Sequence, residues 1–176
     1  GTIAAGVVRK GDLLTVLPSG KSSRVKSIVT YDEELEVAFT PLAVTLTLED
    51  EIDISRGDLL VHSDNQPESS DLVTASLVWM SDEAMLPGKQ YYFKHASKVV
   101  SGQIRNLRHR IDVNTLEKQP APALALNEIA LCDISFSQPI SFDAYRRNRG
   151  TGAFIVIDRL TNVTVGAGMI ESDGNV

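Results

Sequence analysis

Cysteine is nearly absent: a single thiol, Cys132, in 176 residues cannot close an internal disulfide. No disulfide framework holds this chain, and a reducing cytoplasm is the expected compartment. Long apolar runs are missing too. The longest, Ala153-Phe154-Ile155-Val156-Ile157, is far short of the ~18 residues that would mark a transmembrane helix, so neither a membrane span nor a membrane partner is expected. The opening Gly1-Thr2-Ile3-Ala4-Ala5-Gly6 has no basic stretch leading into an apolar one, the pattern a signal peptide needs. Positive charge is in short supply, with 17 Lys and Arg against 23 Asp and Glu for a net charge of −6. That balance opposes a nucleic-acid partner unless the basic residues gather on one face.

Helical periodicity is equally scarce. Few segments repeat apolar residues at three and four, whereas short alternating or β-branched runs recur along the whole chain. The fold class is therefore all-β. The clearest strand is 42–48, where Leu42, Val44, Leu46 and Leu48 share one face and Ala43, Thr45 and Thr47 the other. Further strands are expected at 3–8, 13–17, 24–31, 59–62, 72–80, 90–95, 98–105, 128–136, 153–158 and 163–170. Within 128–136 the apolar phase shifts from Ile129 and Leu131 to Ile134 and Phe136, as at a bulge or in a strand covered on both faces.

The residues 63–71, Ser-Asp-Asn-Gln-Pro-Glu-Ser-Ser-Asp, have no apolar side chain, and a domain junction is placed there. The expected domains are 1–65 and 70–170, each a small barrel that hides its strand edges. The Pro/Ala-rich stretch 118–123 reads as an extended surface loop, and 171–176 as a frayed tail.

Several arrangements look like chemistry. Ser19-Gly20-Lys21-Ser22 ends like a phosphate-binding loop, but the leading glycine of that pattern falls on Thr15, and a strand rather than a helix follows. A hairpin turn is expected there. The acids Glu49, Asp50, Glu51 and Asp53 lack the ligand spacing of a calcium loop, and 53–57 reads as one helical turn. His62, His95 and His109 lie far apart without metal-ligand spacing. Cys132 sits in an apolar strand, where a buried thiol is inert.

Two arginine clusters are the candidate sites: Arg105, Arg108 and Arg110, and Arg146, Arg147 and Arg149. Guanidinium groups bind carboxylate and phosphate as forks, so crowding them costs repulsion that a partner relieves. The other reading is a solvated strand edge and loop. No catalytic, cofactor-binding or metal site emerges from the residues themselves.

Gly1-Thr2-Ile3-Ala4-Ala5-Gly6-Val7-Val8-Arg9-Lys10-Gly11-Asp12 resembles the first hairpin of the second domain of elongation factor Tu and its relatives. Arg56-Gly57-Asp58-Leu59-Leu60 resembles the motif that closes that barrel, and Thr164-Val165-Gly166-Ala167-Gly168-Met169-Ile170 the last strand of the third domain. Leu48 through Leu60, and the long run Arg147 through Gly168, resemble more narrowly the GTP-binding large subunit of bacterial sulfate adenylyltransferase. Trp79-Met80-Ser81, Pro87-Gly88-Lys89-Gln90-Tyr91 and Lys94-His95 agree with that family as well.

The resemblance implies two consecutive β-barrels like domains 2 and 3 of elongation factor Tu, preceded in the parent protein by a G domain carrying GTP and Mg²⁺. It implies no cofactor in these barrels themselves. It further implies a separate small catalytic subunit that makes adenylyl sulfate from ATP and sulfate, with GTP hydrolysis driving the reaction. The partners implied are thus the G domain and that subunit, with the two arginine clusters as contact surfaces. The alternative is a translation elongation factor whose barrels hold tRNA. Net charge and the run Arg147 through Gly168 oppose it.

Overall fold

The computed structural model describes residues 1–112 and 114–174 and is almost entirely β. The chain divides into two compact units, Gly1–Pro67 and Glu68–Val176.

The first unit contains β1 (Val7–Arg9), β2 (Leu13–Leu17), β3 (Ser22–Val29), β4 (Glu34–Leu35), β5 (Val37–Phe39), β6 (Thr45–Leu48) and β7 (Leu59–His62). Its main sheet has the order β4-β3-β2-β7, with β6 also on β3, and β1 and β5 form a separate ribbon. This is an open barrel. The alternation at 42–48 holds as expected: Val44 is buried, and Leu42, Leu46 and Leu48 pack on the same small core of Val8, Leu14, Val25, Ile28 and Ala38. The expected helical turn at 53–57 is absent. The chain instead makes a tight turn in which Asp58 N–H donates to Ser55 O at 3.1 Å, with Gly57 at φ 105°. The Asp58 carboxylate accepts from Ser55 N–H at 2.8 Å, bracing the same turn from its other end.

The second unit contains β8 (Glu68–Trp79), β9 (Gln90–His95), β10 (Lys98–Ile111), β11 (Lys118–Gln119), β12 (Ile129–Phe142), the short helix α1 (Arg149–Gly152), β13 (Ala153–Asp158) and β14 (Thr164–Asp173). The order β10-β12-β8-β14-β13-β9 returns to β10 through the β9–β10 pairing, closing a six-stranded antiparallel barrel. Closure removes every sheet edge from solvent along that ring. The interior is filled by alternate residues, including Val73, Ala75, Leu77 and Trp79 of β8 and Ala130, Cys132, Ile134 and Phe136 of β12. Phe93 meets Phe136 and Phe154 edge-on at 5.3 and 5.7 Å. Gly168 is required at this spot, because a Cβ there would lie 2.1 Å from the Phe154 ring. Trp79 finds its one polar partner by donating to Glu83 O at 2.7 Å, as a buried indole must.

Several boundaries move: the strand expected at 3–8 begins only at Val7, and β10 and β12 run on to Ile111 and Phe142. β8 begins at Glu68, inside the supposed linker, because Glu68, Ser69 and Ser70 pair with Phe142, Ser141 and Ile140; a polar sequence is no bar to a strand whose backbone has a partner. β14 runs past Ile170, pairing Ser172 with Thr74 and Asp173 with Val73, so the expected fraying does not begin at Glu171. Asn175 and Val176 lie outside the described residues. In the Pro/Ala-rich stretch, Lys118 and Gln119 form β11 against Ile111 and Arg110.

Of the two origins expected for the phase shift along 128–136, the structure favours a strand covered on both faces over a bulge between Ile129 and Ser135 of β12. Even-numbered residues from Ala130 to Phe136 face inward, while Ile129 and Leu131 are half-buried on the outer face. The bulges lie across the ladder in β10, where the register slips between Ile104 and Asn106 and again between Leu107 and His109.

Candidate partner-binding surface

Those two slips place the first arginine cluster. Arg105 and Arg108 are the extra residues of β10 relative to β12, and a bulged residue is turned out of the ladder. Arg108 Nε donates to Asp133 Oδ1 at 2.8 Å, and the same oxygen accepts from Thr74 Oγ1 at 3.0 Å. Arg110 is bound on both sides, by Glu128 of the loop entering β12 and by Gln119 of β11. Glu128 also accepts from Ala125 N–H at 2.8 Å, and that bond, more than Arg110, holds its carboxyl below the usual range. Arg108 and Arg110 are therefore stitches between strands. Arg105 alone of the three is exposed with no ion-pair partner among the described residues.

The second cluster sits on the loop from β12 into α1 and is built around Asp143. Its Oδ2 accepts from Thr151 Oγ1 at 2.7 Å and Asn148 Nδ2 at 3.4 Å, and Arg147 Nε lies 3.8 Å from Oδ1. Asn148 caps the short helix by accepting from Gly150 N–H at 3.0 Å. His95 is buried beneath, its Nε2 2.7 Å from Thr151 O. Burial pushes this imidazole below its usual value, so it stays neutral with Nε2–H as the donor. Gly152 fits only because it has no side chain: a Cβ would stand 2.4 Å from Tyr145 Cα and 2.9 Å from Asp143 O. The glycines of 148–152 do not make an adaptable loop; Gly152 locks it. On this fixed platform Arg146 and Arg149 point away from any ion pair among the described residues, Arg149 stacking on the Tyr145 ring at 5.9 Å.

Beside the platform, the outer face of β8, β14, β13 and β9 forms an open apolar groove lined by Val78, Ala167, Ile155 and Met169, with Tyr145 and Lys94 at its rim. The sequence reading passed over this groove, because its residues are the outward halves of strands read for their inward halves. The only signal was that Ile155, Ala167 and Met169 are apolar at positions where an exposed face is usually polar.

Elsewhere, Ser19-Gly20-Lys21-Ser22 is the β2–β3 hairpin turn. Gly20 sits at φ 74° with its N–H donated to Val16 O, and Ser22 Oγ is bonded to Thr15 Oγ1 at 2.9 Å. With the hydroxyls engaged and a strand following, these residues do not fit a nucleotide phosphate or its Mg²⁺. Cys132 is fully buried, donates to Ala75 O at 3.4 Å, and its thiol is pushed up to about 12 by burial. Among the described residues no group of three His, Cys, Asp or Glu side chains comes together to hold a metal. Among the described residues no helix is long and apolar enough to cross a membrane.

Residues 72–171 match the family model described as GTP-eEF1A C-terminal domain-like. The chain is 58% identical over 169 residues to a sulfate adenylyltransferase subunit 1 from Teredinibacter turnerae, covering 96% of this chain and 36% of the relative. It is also 58% identical over 174 residues to a bifunctional enzyme CysN/CysC from Rhodopirellula baltica, covering 99% of this chain and 27% of that one. The chain thus spans roughly a third of the length of these curated relatives. Among solved structures, Sup35 complexed with GDP superimposes with a TM-score of 0.87 at 20% identity, over 98% of this chain and 43% of Sup35.

Proposed function

The chain belongs to the GTP-eEF1A C-terminal domain-like family, and from that premise we propose that it is the two-barrel portion of a sulfate adenylyltransferase subunit 1. The observation that carries this reading is identity of 58% sustained across 96% of the chain, over both barrels rather than at one motif. In the parent, a G domain outside this chain binds GTP and Mg²⁺, and a second, small cytoplasmic subunit forms adenylyl sulfate and pyrophosphate from ATP and sulfate. The barrels carry no reacting group in this scheme. They act as rigid bodies: a closed six-stranded ring moves whole rather than deforming, so a displacement that begins at the nucleotide arrives undiminished at a distant contact.

Such a displacement has an effect only if the barrel makes different contacts with the partner in the two nucleotide states. Of the two clusters, Arg146 and Arg149, held on a rigid loop, and Arg105, turned out at a bulge, have no ion-pair partner among the described residues and can make them; Arg108 and Arg110 are committed to strand pairing. No observation favours the tRNA-binding alternative.

The test is reconstitution. The full-length parent, mixed with its small subunit, ATP and sulfate, should form adenylyl sulfate faster when GTP is supplied, while the 176-residue chain titrated with GTP and Mg²⁺ in a calorimeter should give no saturable heat. Micromolar GTP binding to the chain alone, or product formation by the parent complex that ignores GTP, would overturn the reading.

A further inference from the structure

The groove on the second barrel has a composition that specifies its occupant. Ladder register sets Val78, Ala167, Ile155 and Lys94 in one row across β8, β14, β13 and β9, with Met169 and Ala153 in the row beside it. The apolar members of these rows are half-buried on the outside of a closed barrel whose interior is already filled. The two alanines leave the floor low between the larger side chains, which is what makes a groove there.

Cations frame it. Lys94 stands at one rim and Arg149 lies on Tyr145 at another. Arg146 adjoins Tyr145 in the chain, and Arg159 stacks on the Tyr92 ring at 5.1 Å, two residues from Lys94 on the same face of β9. All four are exposed, and among the described residues none has an ion-pair partner. The carboxylates on neighbouring positions are engaged: Asp143 by Thr151, Asn148 and Arg147, and Glu171 by the Ser76 hydroxyl at 2.9 Å. In a chain whose net charge is −6, four unpaired cations around one apolar trough are a local reversal of sign. They attract anionic groups at the rim while the floor accepts a side chain that water rejects.

We propose that this groove docks an acidic segment of a partner protein, laid across the four strands with one apolar side chain seated between Ile155 and Met169 and its carboxylates forked by Arg146, Arg149 and Arg159. A duplex nucleic acid would satisfy the cations but keeps its bases stacked away from the apolar floor, and the chain's net charge of −6 opposes a single strand. The assignment rests on the partner-facing reading of Arg146 and Arg149 and adds the chemistry of what meets them.

The probe is a short fluorescein-labelled peptide of glutamates and aspartates with one central phenylalanine, titrated into the ¹⁵N-labelled chain at low salt. Saturable amide shifts should map to Val78, Lys94, Tyr145, Ile155, Ala167 and Met169. Affinity should fall about tenfold on Arg146→Glu with Arg149→Glu, and by a similar factor when the central phenylalanine becomes serine. Lys94→Glu, at an exposed position on the groove's edge, gives the same loss in a variant that has no reason to misfold. Shifts mapping elsewhere, no saturation, equal binding of the serine peptide, or equal or tighter binding of a short single-stranded RNA would each overturn the proposal. Peptide docking together with a parent complex that ignores GTP would fail the functional reading and leave this surface standing; the converse pair of results would remove the surface and leave the function.

Discussion

Two clusters of three arginines, alike in composition, do opposite work in the second barrel. In the first, Arg108 and Arg110 are tied to Asp133 and Glu128 across strands, so the charges hold the sheet and only Arg105 is left over. In the second, the fixed charge is the carboxylate: Asp143 gathers Thr151, Asn148 and Arg147 around itself, and the loop so built presents Arg146 and Arg149 outward. Arginine density alone therefore says little about binding. What matters is whether an acid stands opposite on a neighbouring strand.

The comparison breaks most sharply at Gly152. Gly152→Ala drives a Cβ into the backbone of Tyr145 and should cost about 1–3 kcal/mol as an overpacking change with no side chain able to yield. Trp79, the chain's one tryptophan and fully inside this barrel, reports it as a lower urea midpoint. An unchanged midpoint would mean that the platform under Arg146 and Arg149 is loose, and the contrast between the clusters would collapse.

A comparable effect is expected on assembly rather than on folding. Arg146→Ala with Arg149→Ala in the full-length parent should weaken complex formation or uncouple GTP hydrolysis from adenylyl transfer, by ~1.5–3 kcal/mol per lost charge-assisted bond, while GTP affinity stays as it was. A pull-down titrated over subunit concentration measures it. If the double variant assembles and couples like the parent, the second cluster is a solvated loop.

In the first cluster the same truncation should register as stability and not as binding. Arg108→Ala removes a partly exposed ion pair worth ~0.2–1 kcal/mol, and a double-mutant cycle with Asp133→Ala isolates the pair. A coupling of zero would place Arg108 among the free arginines.

The smallest effect is a pH dependence confined to the second cluster. His95 has its value lowered in the folded state by burial, aided by Lys98 and opposed by Thr151 O and Asp143. The unfolded chain therefore binds a proton first. The associated stability is complete above the ordinary histidine value of ~6.5 and is lost as pH falls from there toward the lower folded value. Protection factors of the amides over 143–152, which divide out the intrinsic pH dependence of exchange, should fall between neutral and mildly acid pH and change less in His95→Gln, while those around Arg108 and Arg110, paired with carboxylates, stay unchanged. An equal fall at both clusters would refute a local role for His95.

Much of this architecture could be read from the residues in order. The strands 13–17, 59–62, 90–95 and 153–158 stand where alternation and turn residues put them, because which side of a strand faces a core is a local property with a period of two. The buried state of Cys132 followed from apolar neighbours in the same strand. The weak elements were missed for an equally local reason. Glu34–Leu35 and Lys118–Gln119 are too short and polar to signal a strand, and Glu68 through Ser70 are strand only because β12 offers them a partner.

What the sequence by itself determined is the class of fold and the family, since periodicity, turn chemistry and motif order are all written along the chain. What only the tertiary structure decided is the pairing. Arg108 finds Asp133 at a separation of 25 residues and Arg110 finds Glu128 at 18, and two bulges in β10 set which arginines turn outward. The groove of Val78, Ile155, Ala167 and Met169 likewise exists only once ladder register has brought three strands side by side. Charge pairing and surface shape depend on distance in space, and strand register converts distant positions into neighbours with no local mark to show for it.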